Sequence, residues 1–109
     1  MKRTKRRYLA LQLEVSTVPS EREFLNAVWG ALTQIFGEYG ASLTNLSLIS
    51  YNQEAKTAIL RVNLNAVENT RASLVTITSV AGKEAAVHVL AASGTIKALK
   101  KNMENSHSL

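Results

Sequence analysis

The residues of this sequence best suited to a chemical task are the lysines and arginines at its two ends. Clustered cations attract polyanions through long-range electrostatics and counterion release. This spacing therefore predicts contacts with nucleic-acid phosphates rather than with a membrane, and a merely solubilising tail is the alternative interpretation. The two basic groups are Lys2, Arg3, Lys5, Arg6 and Arg7 at the start, and Lys97, Lys100 and Lys101 near the end.

Residues suited to catalysis or metal binding are scarce. The sequence has no cysteine and no aspartate, and its second histidine, His107, lies close to the C-terminus. His88 could stack on a nucleic-acid base, or it could be a partly exposed histidine of a sheet with no special role. The glutamates are scattered without the spacing of metal ligands. The sequence therefore predicts no catalytic residue, no metal site and no cofactor held by the protein.

Alternation of apolar and polar residues predicts the strands that must position the basic groups. The first strand has Leu9, Leu11 and Leu13 on one side and polar residues on the other. Asn52 to Glu54 predict the turn of a hairpin between the second and third strands. The four predicted strands cover residues 8–15, 43–51, 57–64 and 85–92. In the last strand, Val87, Val89 and Ala91 are predicted on the core side, opposite His88 and Leu90.

Capping residues predict three helices. Ser20 and Glu23 form an S-x-x-E capping box, after which apolar residues recur at helical spacing as far as Gly37 and Gly40. Asn65 is the predicted N-cap of a second helix, whose end near Thr78 is obscured by β-branched residues. Thr95 is the predicted N-cap of a third helix, which extends to about Asn102.

The order of these elements is β-α-β-β-α-β followed by a C-terminal helix. It predicts an α+β fold, the ferredoxin-like or RRM-like sandwich, in which a four-stranded antiparallel sheet carries two helices on one face. The predicted organisation is a basic arm at residues 1–7, one domain at residues 8–102 and a frayed tail at residues 103–109. With no apolar stretch long enough to span a bilayer, we expect a soluble, cytoplasmic protein.

The sheet face turned away from the two helices is more apolar than a solvated face should be. We therefore expect it to be covered, either by the C-terminal helix through Ile96, Leu99 and Met103 or by a partner protein or second copy. The residues predicted on this protein interface are Tyr8, Ile49, Tyr51, Ile59 and Leu90.

The predicted fold serves several functions, so motifs must distinguish them. An acylphosphatase needs a glycine-rich phosphate loop after the first strand, whereas residues 16–19 contain no glycine. A standard RNA-recognition motif has stacking aromatics on its third strand, where this chain has Thr57, Ile59 and Arg61. Neither motif is present.

Four segments, residues 7–11, 36–42, 58–62 and 93–99, together resemble the archaeal ribonuclease P protein component 2 family, which is related to the eukaryotic Pop-five subunit. Ser93-Gly94-Thr95-Ile96 is the most specific of these segments. The resemblance covers about nine tenths of the chain.

This resemblance implies a subunit that binds the catalytic domain of ribonuclease P RNA and pairs with protein component 3. A homodimer of this chain would stand at the centre of a heterotetramer and contact precursor tRNA only indirectly. Magnesium ions held by the RNA would remove the 5′ leader, so the isolated chain would have no activity. The expected RNA contacts are Lys2, Arg3, Lys5, Arg6, Arg7, Gly94, Thr95, Lys97, Lys100 and Lys101.

Other roles remain open for several residues. Gly94 and Thr95 could cap secondary structure, contact RNA through a helix N-terminus, or do both. Arg61 and Arg71 are weaker RNA candidates because each lies within a packed element. The chain departs from the family at residues 63–65, where a basic residue is often expected, and at Ser47, where an aromatic is expected.

Two other functions are possible. The first is a regulatory or scaffolding domain without enzymatic activity that dimerises through its open sheet, and it predicts no salt-dependent RNA binding. The second is an enzyme acting alone, which predicts activity in the absence of RNA.

Overall fold

The computed structural model describes the backbone of residues 5–107 and the side chains of residues 5–101. Helices lie on both faces of an antiparallel sheet. The elements in chain order are β1 (Arg6–Val15), α1 (Glu21–Ser42), β2 (Ser47–Asn52), β3 (Thr57–Asn63), a 3-10 turn (Leu64–Ala66), α2 (Val67–Leu74), β4 (Ser79–Val80), β5 (Lys83–Ser93) and α3 (Ile96–His107).

The sheet has the strand order β2-β3-β1-β5-β4, and every neighbouring pair is antiparallel. The α+β class is confirmed, but the predicted number of four strands is wrong because residues 5–107 form five. Strand β4 joins β5 through Ala81 and Gly82, whose φ angles of 53° and 80° are both positive. A two-residue hairpin turn of this kind usually contains Asn-Gly or Asp-Gly, so Ala-Gly did not signal it.

Helix α1 begins as the sequence predicts. The Ser20 hydroxyl accepts a hydrogen bond from the Glu23 backbone N–H at 3.1 Å, and the Glu23 carboxylate accepts one from the Ser20 N–H at 2.9 Å. At Gly37 the φ angle of 77° breaks the helical backbone, yet helical residues resume and continue to Ser42. Gly37 therefore kinks α1 instead of ending it, since glycine tolerates this conformation.

Helix α2 differs from its prediction at both ends. Asn65 lies inside the 3-10 turn, and the residue at the N-cap position is Ala66, which makes no side-chain capping bond. The helix ends at Leu74 instead of near Thr78. The Thr76 hydroxyl donates to the Ser73 carbonyl at 2.7 Å, and β-branched residues after Leu74 favour leaving the helix.

The core lies between the sheet and the pair α1 and α2. Apolar side chains of β1, β3 and β5 point into it, opposite those of the two helices. The largest fully buried apolar side chains there are Leu9, Leu11, Leu13, Phe24, Val28, Leu32, Leu60, Val62 and Leu74.

Helix α3 covers part of the other sheet face, packing on β5 and β1. Ala10 points away from the core between Leu9 and Leu11, yet it is 0% exposed, as is Leu99 of α3. The C-terminal helix therefore folds back over the β1 and β5 half of this face, which was one of the two predicted coverings. Met103 lies beyond the described side chains. None of the described helices is both long and apolar enough to cross a membrane.

A β-bulge on β2 changes the sheet face that one predicted interface residue, Tyr51, occupies. On β2, Leu48 pairs with Leu60 and Ser50 with Ile59, so Ile49 is an extra residue and Tyr51 then pairs with the buried Ala58. The predicted outward position of Tyr51 is therefore wrong, because a bulge reverses the alternation of side chains.

The contacts of Tyr51 show directly that its side chain lies on the core side of the sheet. Its ring stacks on Phe24 of α1 with centroids 5.4 Å apart, and its hydroxyl donates to the Pro19 carbonyl at 2.6 Å. The other predicted interface residues stay on the outer side: Tyr8 and Ile59 are half-buried, and Ile49 and Leu90 are 37% and 36% exposed.

A second bulge lies on β5, where Ala10 pairs with Ala91 and Leu11 with Val89. Leu90 is the extra residue. Ala91, predicted on the core side, therefore shares the outer face with Ala10.

The boundaries of the predicted domain also shift. Arg6 and Arg7, assigned to the basic arm, belong to β1, and the Lys5 carbonyl accepts a hydrogen bond from the Leu64 N–H at 2.8 Å. At the other end α3 extends to His107, beyond the predicted Asn102. The ordered fold therefore takes in residues from both predicted tails.

Candidate nucleic-acid interface

The pairing of β1 with β5 brings the two basic ends of the chain together. Because the strands are antiparallel, the start of β1 lies beside the end of β5, and Tyr8 pairs with Ser93. Arg6 and Arg7 precede Tyr8, and Gly94 follows Ser93. Residues almost ninety positions apart in the sequence therefore meet at one edge of the sheet.

Arg7 and Gly94 are in close contact at this edge. A Cβ atom placed on Gly94 would lie 2.6 Å from Nη1 of Arg7, closer than any real Cβ contact. The absence of a side chain at position 94 thus allows the guanidinium to lie against the backbone where α3 is about to begin. Beside it is a shallow depression of about 250 Å³, lined also by Leu64 and Ser93.

Thr95 caps α3, as the sequence predicts. Its hydroxyl accepts a hydrogen bond from the Ala98 N–H at 3.1 Å, and its carbonyl accepts one from the Leu99 N–H, also at 3.1 Å. The capping role of this residue is therefore established by geometry. Predicted RNA contact by Gly94 and Thr95 stays a prediction.

The basic side chains near this edge face solvent. Lys5 and Arg6 are exposed and Arg7 is half-buried, while the lysines of α3 lie three and four residues apart and so share one side of the helix. These exposed lysines are Lys97, Lys100 and Lys101. Lys2 and Arg3, also predicted to contact RNA, lie outside the described residues.

Charge differs between the two ends of β1. Among the described side chains, His88 and Glu14 are hydrogen-bonded, with Nε2 and Oε2 2.9 Å apart and both side chains exposed. With a rise of about 3.3 Å per residue, Glu14 lies roughly 23 Å from Arg7 along the strand. Glu68 of α2 lines the same depression as Arg7, but no carboxylate of the described residues lies within ion-pair distance of Arg6, Arg7 or the lysines of α3. We call these basic side chains the basic edge.

His88 lies on the outer face as predicted, opposite Gln12, and it faces a carboxylate. In the part of the chain that the structure describes, no three His, Cys, Asp or Glu residues are grouped as a metal site. Arg71, a weaker candidate, is exposed on α2 and so belongs to the helix layer, away from the outer face.

The structure also aligns residues that the sequence pattern did not group. Across the outer face, Ser47 pairs with Arg61, Arg61 with Tyr8, and Tyr8 with Ser93. These four residues form a polar cross-strand row that ends beside Gly94. The row depends on the register of four strands, two of which contain bulges. Because register joins residues far apart in the sequence, no local sequence pattern could reveal the row.

Comparison with known proteins identifies the family. The model of the Rpp14/Pop5 family matches residues 7–104, which includes β1, β5 and most of α3. The chain belongs to the Rpp14/Pop5 family. The resemblance noted from the sequence is thereby confirmed.

Relatives within the family share about a third of their residues with this chain. Ribonuclease P protein component 2 of Pyrococcus abyssi is 34% identical, and the alignment covers 91% of this chain and 84% of the relative. The protein of the same name from Methanobrevibacter smithii is 36% identical, covering 94% and 91%. That from Methanosarcina acetivorans is 38% identical, covering 87% and 70%.

The fold of this family member also occurs in a solved assembly. A chain in the cryo-EM structure of yeast ribonuclease MRP superposes with a TM-score of 0.72, covering 99% of this chain and 95% of that chain. At 19% identity this likeness concerns the fold alone.

Proposed function

We propose that this chain is a protein subunit of an archaeal ribonuclease P, in which it binds the catalytic domain of the RNA and supports removal of the 5′ leader from precursor tRNA. The observation that carries the proposal is the convergence of both basic ends at one edge of the sheet, in a member of the Rpp14/Pop5 family. Relatives named ribonuclease P protein component 2 support the same assignment.

The basic edge suits contacts with phosphates more than recognition of bases. Arg6, Arg7 and the lysines of α3 are long cationic side chains, and no carboxylate of the described residues pairs with them. Such contacts position RNA and release counterions without reading its sequence. The chain would thereby reduce the repulsion between RNA strands that must approach one another in the active fold.

The chemistry in this proposal belongs to the RNA. Magnesium ions held by RNA phosphates activate water and stabilise the leaving oxygen, and the protein holds no cofactor. The described residues include no group of three His, Cys, Asp or Glu side chains that could hold a catalytic metal ion. The isolated chain would accordingly cleave no precursor tRNA.

Protein partners are part of the same proposal. The family resemblance suggests protein component 3 and a homodimer of this chain at the centre of a heterotetramer. Apolar side chains available for such contacts include Tyr39 on α1, which is 77% exposed, and Leu43 at its end, which is 57% exposed. Ile49 and Leu90 on the outer sheet face are further candidates.

The proposal is tested by reconstituting precursor-tRNA cleavage from an archaeal ribonuclease P RNA and protein component 3, with and without this chain. Deletion of residues 1–7 would remove the start of β1, so the basic arm is better tested by deleting residues 1–4 and, separately, by Arg6→Gln. Arg22→Gln on the exposed start of α1 is the matched control.

We expect the wild-type chain to lower the magnesium concentration needed for cleavage, and both basic-edge variants to weaken that effect more than Arg22→Gln. A chain that changes nothing, and that binds RNA no better than a neutral protein at moderate salt, would instead fit a scaffolding domain. Cleavage by the chain without RNA would indicate an enzyme.

A further inference from the structure

The polar row across the outer sheet face has an arginine in its interior. Ser47, Arg61, Tyr8 and Ser93 lie on four adjacent strands, so the row is roughly 14 Å long from end to end. Helix α3 packs on β1 and β5, and Arg61 lies on β3, beyond that half of the sheet. The row thus runs from the edge strand β2 toward the start of α3.

Arg61 is not satisfied by its own protein. Its side chain is half-buried, and its Nε–H is buried without a hydrogen-bond acceptor. No carboxylate of the described residues lies within ion-pair distance of it. Buried donors almost always have an acceptor. We therefore expect the missing acceptor of the Arg61 guanidinium to come from another molecule.

We propose that Arg61 binds a backbone phosphate of an unpaired RNA strand that lies along this row. The inference rests on the proposed function and adds a site that the basic ends of the chain do not include. A guanidinium is planar and donates two parallel hydrogen bonds to phosphate oxygens. Its neighbours in the row suit the same ligand, because serine and tyrosine hydroxyls donate to phosphate and ribose oxygens.

The position of the row favours RNA over a protein as its occupant. The row ends at Ser93, directly before Gly94, which Arg7 contacts. Arg7 itself lies on the α2 side of the sheet, where it lines a depression with Val67 and Glu68. The exposed Arg6, two residues before Tyr8, is on the same face as the row, so an RNA strand on the row would continue onto Arg6. Tyr8, the aromatic residue of the row, offers a ring on which one base can stack.

A symmetric dimer through this face is less compatible with the row. In a two-fold interface the same patch is used by both copies, so two Arg61 side chains would be brought toward one another. Like charges in an interface oppose association. Dimerisation through the row is nevertheless an outcome that the experiment below distinguishes.

The experiment compares Arg61→Gln with Arg22→Gln, an identical change at an exposed arginine at the start of α1, on the helix side of the molecule. Binding of the catalytic domain of an archaeal ribonuclease P RNA is measured by fluorescence anisotropy over a series of salt concentrations. Each phosphate contact on a single strand contributes about 0.7 to the slope of log K against log salt.

We expect Arg61→Gln to weaken binding by roughly tenfold or more and to reduce the slope by about 0.7, because a charge-assisted contact is lost. Arg22→Gln should match the wild type in both affinity and slope. Arg61→Lys keeps the positive charge but removes the planar guanidinium with its two parallel N–H donors. We therefore expect the salt slope to be unchanged and the RNA affinity to fall. It also provides a test if Arg61→Gln fails to fold, which circular dichroism would detect.

Equal affinity and slope for Arg61→Gln and Arg22→Gln would overturn the inference, as would wild-type affinity for Arg61→Lys. A change of oligomeric state in Arg61→Gln by sedimentation, with an unchanged salt slope, would overturn it in favour of a protein contact. In each case the wild-type chain still binds RNA and supports cleavage. Failure of the proposed function differs, since the wild type itself would then bind no RNA.

Discussion

The guanidinium of Arg7 lies against Gly94, at a distance that leaves no room for a side chain at position 94. This contact joins the start of β1 to the start of α3, and it is possible because β1 and β5 pair antiparallel with Tyr8 opposite Ser93. Arg6 and Arg7 therefore lie beside the start of the helix that carries Lys97, Lys100 and Lys101.

Gly94→Ala should displace Arg7 while changing the stability of the fold by no more than about 0.5 kcal/mol. The Cβ would meet the far end of a flexible side chain, and Gly94 does not have a positive φ angle. RNA affinity should fall because the guanidinium moves away from the helix start. Fluorescence anisotropy and thermal unfolding measure the two effects.

Gly30→Ala is the control for this change, because nothing lies within 4 Å of the added Cβ. In the middle of α1 it should raise the free energy of unfolding by about 0.5–1 kcal/mol and leave RNA affinity unchanged. If Gly94→Ala also leaves RNA affinity unchanged, the position of Arg7 against Gly94 does not matter for binding.

Leu99→Ala should detach α3 from the sheet. Leu99 is 0% exposed and is the fully buried residue of the helix segment with described side chains, so its truncation should cost about 2–5 kcal/mol. Amide hydrogen exchange should then rise in α3 and around Ala10. Lys100→Ala, next to it but exposed, should change stability by at most about 0.5 kcal/mol. Equal effects of the two variants would show that α3 does not dock in solution.

Tyr51→Phe should destabilise the fold modestly at neutral pH, by about 0.5–1.5 kcal/mol, since its hydroxyl donates to the Pro19 carbonyl. The loss should be near the lower value because Gln53 Nε2 also donates to that carbonyl, at 3.3 Å. Chemical denaturation measures the difference. Tyr39→Phe, at an exposed position, is the control and should leave the free energy of unfolding unchanged.

The same tyrosine predicts how stability changes at alkaline pH. Burial, with smaller contributions from the charges of Glu23 and Glu21, raises the pKa of Tyr51 above its ordinary value. Above about pH 10 the unfolded chain therefore loses this proton while the folded chain retains it, so stability falls as pH rises. Tyr51→Phe should show a shallower fall in that range, and an identical slope in both proteins would contradict the assignment.

Ser20→Ala should remove half of the capping box at the start of α1 and cost about 0.5–2 kcal/mol. The Glu23 N–H would lose its acceptor. Ser50→Ala, on the exposed side of β2, provides a serine control that should stay within about 0.5 kcal/mol of the wild type. A cost for Ser20→Ala no larger than that of the control would indicate that water replaces the cap without loss.

Local sequence patterns were sufficient to predict features that depend only on neighbouring residues. The capping box of Ser20 and Glu23, the cap at Thr95 and the alternation of β1 were all predicted and are present. The Asn65 cap was wrong because Ala66 occupies that position after a 3-10 turn. Asn65 with Glu68 has the same spacing as Ser20 with Glu23, but the 3-10 turn moves the helix start one residue along the chain.

Predictions of which sheet face a residue occupies failed where a β-bulge interrupts the strand. Tyr51 and Ala91 both changed faces because a bulge inserts one residue and reverses every side chain beyond it. Ile49 and Leu90, the inserted residues, are apolar like their neighbours, so nothing in their type marks them as bulges. Strand β4 was missed for a related reason, since its turn uses Ala81 where asparagine is usual.

The sequence by itself determined the α+β class, the positions of most helices and strands, the basic character of both ends and the family. These features depend on residue type, periodicity and local hydrogen bonds, all of which involve residues close together in the sequence. Only the tertiary structure decided that the two ends meet at Arg7 and Gly94, that α3 covers Ala10, and that Arg61 stands in a row between Ser47 and Tyr8. Those relationships depend on strand register and packing between residues far apart in sequence, which no local pattern specifies.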